Sequence, residues 1–253
     1  MAQKAPIRSL RVAIVTPTYN EIGNIEKLLV ELQSVSKEHP ADIFSAFVID
    51  DSSPDGTADL VETLRPKLKT KNFTVNLIVR KEKDGLGRAY IFGFNQVLQQ
   101  KPPFDYILQM DADLSHNPAY ITGFLHQARD GADLIVASRY IHGGTTPDWP
   151  WYRKVLSRGG NMYTRFFLSS KVTDYTGGFN MYSTSLMKKI DTNTLTAGGY
   201  GFLIELKYRA IKSAKKIREV PIVFLDRENG VSKIPKSTIF KNLALVIKLR
   251  LNK

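Results

Sequence analysis

The amino-acid sequence predicts an α/β domain, a mostly parallel β-sheet covered by helices on both faces. Short apolar, β-branched runs alternate with stretches of helical period through the first half of the chain, and such alternation builds parallel sheets. The runs close on Pro, Gly, Asp and Asn, the residues that turn a chain. The length of 253 residues, with 43% hydrophobic and 10% aromatic content, suits one large domain or two small ones and a sizeable core.

Leu10 to Thr16 reads as a buried strand closed by Pro17. Ile25, Leu28, Leu29 and Leu32 follow at helical spacing, with Asn20 or Asn24 as the cap. A second strand, Phe44 to Ile49, ends in Asp50-Asp51-Ser52-Ser53-Pro54-Asp55-Gly56. A helix from Thr57 to Leu68, a strand from Val75 to Val79, a helix from Leu86 to Gln99 and a strand from Tyr106 to Met110 complete the alternation. Asp111-Ala112-Asp113 comes next, then a helix from Pro118 to Arg129, where Pro suits a first turn, and a strand from Leu134 to Ala137. Tyr140 to Pro150 is a long Gly/Pro loop, in a compact domain more often functional than idle. Helical periods return at Val155 to Leu168 and Phe202 to Ala214, separated by the Gly177-Gly178 stretch, and Val220 to Leu225 reads as a last strand.

The charge is uneven. The net formal charge is +12, yet the residues up to Leu134 hold 15 basic and 17 acidic side chains, and those after it 21 and 7. A basic half either meets an anionic partner (nucleic acid, anionic lipid or a phosphorylated substrate) or is simply a solvated surface. Cysteine is absent, which excludes disulfides and thiolate chemistry. The histidines at 39, 116, 126 and 142 form no H-E-x-x-H pair. No window has the apolar length of a membrane span, and the first nine residues lack a signal-peptide core. The expectation is a cytoplasmic protein that is not integral to a membrane.

In open α/β sheets ligands bind beyond the carboxyl ends of the strands. Pro17 to Glu21, Asp50-Asp51 and Asp111-Ala112-Asp113 occupy those ends. Neither G-x-G-x-x-G nor G-x-x-x-x-G-K-[ST] occurs, so no glycine cradle is available for phosphate. Two carboxylates near a diphosphate repel it unless a hard cation such as Mg²⁺ or Mn²⁺ bridges them. The spacing of Asp111 and Asp113 lets one turn aim one or both at the same ion, although such a pair also occurs in solvated turns and helix caps.

Ten motifs follow in order: PTYNE (17 to 21), DDSSPDGT (50 to 57), GLGRAY (85 to 90), MDADLSHNP (110 to 118), SRY (138 to 140), WPWYRKVLSRGGN (149 to 161), TGGF (176 to 179), GYGF (199 to 202) with Glu205, EVPI (219 to 222) and DRENGVSK (226 to 233). With these the chain resembles the polyprenol-phosphate (dolichol-phosphate) mannose synthases, in the glycosyltransferase family 2 group of GT-A fold enzymes, from about Arg11 to Lys233.

The resemblance implies a single GT-A domain over 1–235, with a Rossmann-like nucleotide-sugar half at about 10–134 and an acceptor half at 135–235. It implies that Pro17, Tyr19, Glu21, Ile49 and Asp51 frame the nucleoside of GDP-mannose, and that Asp111, Ala112 and Asp113 meet its diphosphate and an Mg²⁺ or Mn²⁺ ion on Asp111 and Asp113. Arg227 and Lys233 would close over the donor phosphates. Arg139, Arg153 and Ser157 would receive the phosphate of a polyprenyl lipid, with Arg139 also near the donor and, with Asp111 and Asp113, in the catalytic set. The implied reaction inverts the anomeric centre. UDP-glucose is the alternative donor, since related synthases use it, and a basic nucleic-acid-binding module or a membrane scaffold is the rival of another class. The acid motifs at successive strand ends speak against nucleic acid as partner.

Gly56, Gly177 and Gly178 are expected at turns or positive φ, and His116 in a cap or core hydrogen bond. Trp149 and Trp151 either pack on the sheet or face lipid. Residues 236–253 read as a basic, partly amphipathic helix suited to a membrane interface or to packing on the domain. Membrane contact on the cytoplasmic face would rest on this helix, the tryptophan loop, basic residues or a separate anchoring subunit. Asn180 stands where Arg is common in the family and Leu203 where Gln is usual.

Overall fold

The computed structural model describes residues 8–195, 199–225 and 236–251. Its centre is a seven-stranded sheet in the order β3-β2-β1-β4-β6-β5-β7. The strands are β1 (Arg11–Thr18), β2 (Ile43–Asp50), β3 (Phe73–Val79), β4 (Tyr106–Gln109), β5 (Leu134–Ser138), β6 (Asn180–Ser183) and β7 (Ile217–Pro221). All neighbours run parallel except at β6, which is antiparallel to both β4 and β5.

Helices cover both faces because each presents one apolar stripe. On one face α1 (Ile25–Glu38), α2 (Thr57–Leu68) and α4 (Ile121–Arg129) bury Leu28, Leu32, Val61, Leu64 and Phe124. On the other, α3 (Leu86–Leu98), α6 (Thr184–Lys189) and α7 (Tyr200–Ser213) bury Tyr90, Phe94, Met187, Phe202 and Leu206. α5 (Trp151–Phe167) and α8 (Lys236–Leu251) pack against each other at the rim, and α8 also packs on α7.

Most expected elements form where the sequence places them, and Thr57–Leu68 has the expected bounds. Three differ. α5 begins four residues earlier than its apolar period, directly after Pro150, whose extended backbone sets the helix start. The last strand is Ile217–Pro221 rather than Val220 to Leu225. Its partner β5 pairs with those five residues, and Pro221 ends the ladder because it has no N–H to donate. Val223 keeps only an isolated bridge to Thr145. The strand β6 has no counterpart among the expected elements, since Asn-Met-Tyr-Ser is too short to show a period. Asn24 holds the cap position of α1 without a side-chain cap bond, its amide going to Glu21 instead.

β1 lies between β2 and β4, so the chain's strand order reverses there and opens a crevice beyond their carboxyl ends. The segments that follow β1, β2 and β4 are Tyr19-Asn20-Glu21, Asp51 onward and Asp111-Ala112-Asp113.

Candidate active site

Two adjacent aspartates at the end of β2 do different work. Asp50 is fully buried and accepts from the Thr18 hydroxyl at 2.8 Å, the Ser53 N–H at 2.8 Å and the Ser53 hydroxyl at 2.6 Å. It ties the ends of β1 and β2 together. Asp51 instead meets the Arg80 guanidinium at 3.0 Å, with both side chains largely shielded. Burial raises the Asp51 carboxyl above its ordinary value, and Arg80 opposes that rise. Arg80 also pairs with Asp84, and Lys83 stands 3.4 Å above the centre of the Tyr19 ring.

Of the residues expected around a nucleoside, Tyr19 and Asp51 thus share a polar cluster with Arg80 and Lys83. Pro17 and Ile49 are buried, and the Glu21 carboxylate accepts from the Asn24 amide at 2.8 Å. Arg80 and Lys83 were not foreseen. The available signal was register: Val79, the last residue of β3, pairs with Asp50, which puts Arg80 beside Asp51.

Beyond β4, Leu114 takes positive φ and turns the chain so that Ser115 caps Asp113 through its N–H at 3.1 Å and its hydroxyl at 2.6 Å. The Asp111 N–H donates to His116 Nδ1 at 3.0 Å, the local hydrogen bond expected of His116. The buried Tyr90 hydroxyl donates to Asp111 Oδ1 at 2.6 Å. Burial, then the Asp111 charge, holds this phenol protonated well above its ordinary value, so it is a fixed donor that aims Asp111. Ala112 is buried between the two acids.

Gly56 has the expected positive φ. Gly178 has a different reason to be glycine: a Cβ there would lie 3.3 Å from both Asp111 Oδ2 and His116 Cε1. Gly178 is therefore a close approach to the acidic turn, and Gly177 one to Asp174, rather than the turn or positive-φ positions expected of them.

Across from Asp111, Arg139 follows β5 and is gripped by Asp174. Nε reaches Oδ2 and Nη2 reaches Oδ1, both at 2.7 Å, and Nη2 also donates to Thr176 at 2.8 Å. Burial alone would raise the Asp174 carboxyl; Arg139 overrides it and holds the value at about 2. The rings of Tyr140, Trp149 and Phe224 surround the guanidinium at 5.2 to 5.4 Å. Arg153 stacks on Trp149 at 3.9 Å, and Ser157 shares a 2.5 Å bond with the Tyr140 hydroxyl. Trp149 is buried as an aromatic floor, whereas Trp151 faces outward.

A cavity of about 570 Å³ brings the acidic turn and the Arg139 cluster together, while the Tyr19 and Asp51 cluster is not part of its lining. Asp111, Ser115 and His116 line it, together with Arg139, Arg153, Ser157 and Thr176. Leu156 and Tyr163 of α5, Leu203 and Ile204 of α7, and Leu243 and Val246 of α8 supply its apolar lining. Asp113 is buried beside the lining. Arg227 and Lys233 lie outside the described residues. Asp174, which the sequence did not single out, is the partner that fixes Arg139.

Two hard carboxylates beside an open cavity suit Mg²⁺ or Mn²⁺, which take few protein ligands and complete their shell with water and phosphate oxygens. No group of three or more metal-ligating acids or histidines occurs among the described residues.

Residues 13–191 match the model of the glycosyl transferase family 2. The chain belongs to that family. Its relatives include a polyprenol monophosphomannose synthase from Mycolicibacterium smegmatis, 38% identical over 90% of this chain and 83% of that protein. An undecaprenyl-phosphate mannosyltransferase from Micrococcus luteus is 38% identical over 89% and 88%. The fold is shared with a solved glucosyl-3-phosphoglycerate synthase from Mycobacterium tuberculosis in complex with Mn²⁺, UDP-glucose and phosphoglyceric acid, at a TM-score of 0.64 over 95% of this chain and 80% of that one, with 15% identity. The sequence resemblance and the family assignment agree.

Proposed function

We propose that this glycosyltransferase moves a mannosyl unit from GDP-mannose to the phosphate of a polyprenyl phosphate, inverting the anomeric centre, with Mg²⁺ or Mn²⁺ on Asp111 and Asp113. The observation that carries the proposal is one cavity lined by a metal-suited carboxylate, a pair of arginines and a set of apolar side chains. A donor diphosphate with its cation, an acceptor phosphate and a lipid chain need those three environments within one cavity. The names of the M. smegmatis and M. luteus relatives support the same substrate class.

The site needs no conspicuous general base. A phosphate monoester has its second pKa near ~6, so the acceptor is already a dianion at neutral pH and a carboxylate beside it would repel it. Arg139 and Arg153 hold that phosphate in line for attack, their charges fixed by Asp174 and the Trp149 face. A bound divalent ion would neutralise the charge that develops on the departing diphosphate. Tyr90 keeps Asp111 directed into the cavity, and Asp51 with Tyr19 contacts the base. Arg227 and Lys233 would complete the phosphate shell.

Membrane contact follows from α5. Trp151, Val155, Met162 and Phe166 form one exposed stripe at helical spacing, with Trp151 75% and Phe166 83% exposed, and Lys154, Arg158 and Arg165 lie along its border. Such a helix suits the interface of a bilayer. The same helix supplies Leu156 and Tyr163 to the cavity wall, so a lipid chain would pass from bilayer to site along one element. No described helix is long and apolar enough to cross a membrane, and contact with the cytoplasmic leaflet would be peripheral.

The deciding experiment assays several nucleotide sugars against a short polyprenyl phosphate, with and without chelator. GDP-mannose should be the fastest donor and chelation should stop the reaction. Faster transfer from UDP-glucose would reassign the donor, and no transfer to any lipid phosphate would overturn the proposal.

A further inference from the structure

α7 buries an apolar face built from Leu203, Leu206, Ala210 and Ile211, and in its midst sits Lys207, with no exposed surface. Its Nζ donates to the carbonyl of Asp174 at 2.5 Å and to that of Gly177 at 3.0 Å. The Gly177 N–H closes back on Asp174 Oδ1 at 2.9 Å, and the Asn180 amide reaches the same Gly177 carbonyl at 3.1 Å. The side chain of Asp174 grips Arg139, and Gly178 lies against Asp111. One ammonium therefore ties both ends of the segment that carries the two sides of the cavity.

We propose that Lys207 is a positioning residue for the transfer reaction: it fixes the Asp174 to Gly178 segment so that Arg139 and Asp111 face one cavity. The proposal rests on the transferase reading above. Stability does not account for a lysine here. Burial lowers Lys207 from 10.5 to about 8; Asp174 and Glu219 oppose the shift, and Arg139 adds to it. Between those two values the unfolded chain binds more protons than the folded one, so folding stability rises with pH across that window. At neutral pH the protonated lysine is thus a net cost, as is usual where function overrides packing. The ammonium acts on the segment through two carbonyls, which an apolar side chain cannot do.

The test compares the full chain with Lys207→Met and Lys207→Arg, measuring thermal midpoint, GDP binding with Mg²⁺, and steady-state kinetics with GDP-mannose and a short polyprenyl phosphate from neutral pH to above 9. Lys207→Met should fold with a midpoint no lower than the wild type's and still bind GDP, yet lose about tenfold or more in kcat/KM for the lipid phosphate, the scale of a misplaced reacting group. The wild-type rate should fall as pH rises through about 8, and Lys207→Arg should push that fall to higher pH. A fully active Lys207→Met overturns the proposal. If that variant does not fold, an unshifted alkaline limb in Lys207→Arg overturns it instead. A wild-type chain that is inactive toward every lipid phosphate overturns the transferase reading. The segment is then read by phenylglyoxal modification of the peptide that holds Arg139, which Lys207→Met should accelerate and which, unchanged, would overturn the proposal.

Discussion

Arg139 and Asp174 meet through two parallel 2.7 Å bonds in the interior of the protein, across 35 positions of sequence. The pair is both scaffold and charge. Asp174→Asn keeps the shape and removes the compensation, leaving a buried guanidinium short of its counter-ion. Breaking such a pair from one side costs about 3 to 5 kcal/mol, and urea melts should show a loss of that size at neutral pH. The pH dependence has a definite sign. Asp174 is depressed from 3.8 to about 2, so its contribution is intact above the ordinary carboxylate value and drains away as pH falls toward 2. The gap between wild type and variant should therefore be constant from pH 7 to about 4 and narrow below it. A gap independent of pH down to about 2 would deny the pair its electrostatic part.

The acidic turn makes a second prediction, by contrast with β2. Asp113→Asn should lower metal-dependent transfer by roughly a thousandfold or more, the scale of losing charge stabilisation in a transition state. Its effect on folding should be smaller than that of Asp50→Asn, because Asp50 joins β1 to the β2 turn while the Ser115 bonds of Asp113 close within its own turn. Parallel melts and single-turnover rates separate the two aspartates. Transfer by Asp113→Asn at the wild-type rate would remove the metal from this turn.

How much of this was legible in the sequence depends on the range of each contact. The β1, β2 and β4 ends were readable because strand and turn signals are local, and they place Asp51 and Asp111 correctly on one edge. Pairing was not. Asp174 precedes the short β6, whose four residues carry no period, and Lys207 looks like a surface lysine until α7 is packed. Arg80 needed the β2–β3 register. Gly178 read as a turn because a close approach leaves no trace in local pattern. The antiparallel insertion of β6 between β4 and β5 is what brings the Asp174 to Gly178 segment against both Asp111 and Arg139.

Arg153 offers a third prediction. Its guanidinium rests 3.9 Å from the Trp149 ring centre and lines the cavity, which places it to meet an acceptor phosphate. Arg153→Ala should raise KM for polyprenyl phosphate about tenfold or more while changing KM for the nucleotide sugar less than about twofold, as expected for one charge-assisted phosphate contact. Trp149→Leu should reproduce part of that effect by removing the platform. The reverse split, with the donor affected and the acceptor untouched, would move the acceptor phosphate elsewhere.

The outer stripe of α5 gives the last prediction. Trp151 and Phe166 point away from the domain at 75% and 83% exposure. Fully burying an aromatic or large aliphatic side chain stabilises by roughly 1.5 to 3 kcal/mol, so even partial insertion of both into a bilayer outweighs the thermal energy. The double variant Trp151→Ser, Phe166→Ser should therefore lose about tenfold or more in partitioning to phosphatidylglycerol vesicles. Lys154, Arg158 and Arg165 border the stripe, and basic residues near an anionic surface contribute about 1 kcal/mol each. Raising salt should then weaken binding of the wild type and of the double variant alike, since screening acts on the charges and not on the apolar contact. Neither residue lines the cavity, so turnover of a short, water-soluble acceptor should persist in the variant while turnover of vesicle-borne acceptor drops. Sedimentation with vesicles measures the first effect and paired assays the second; undiminished vesicle binding by the double variant would place the membrane contact on another face.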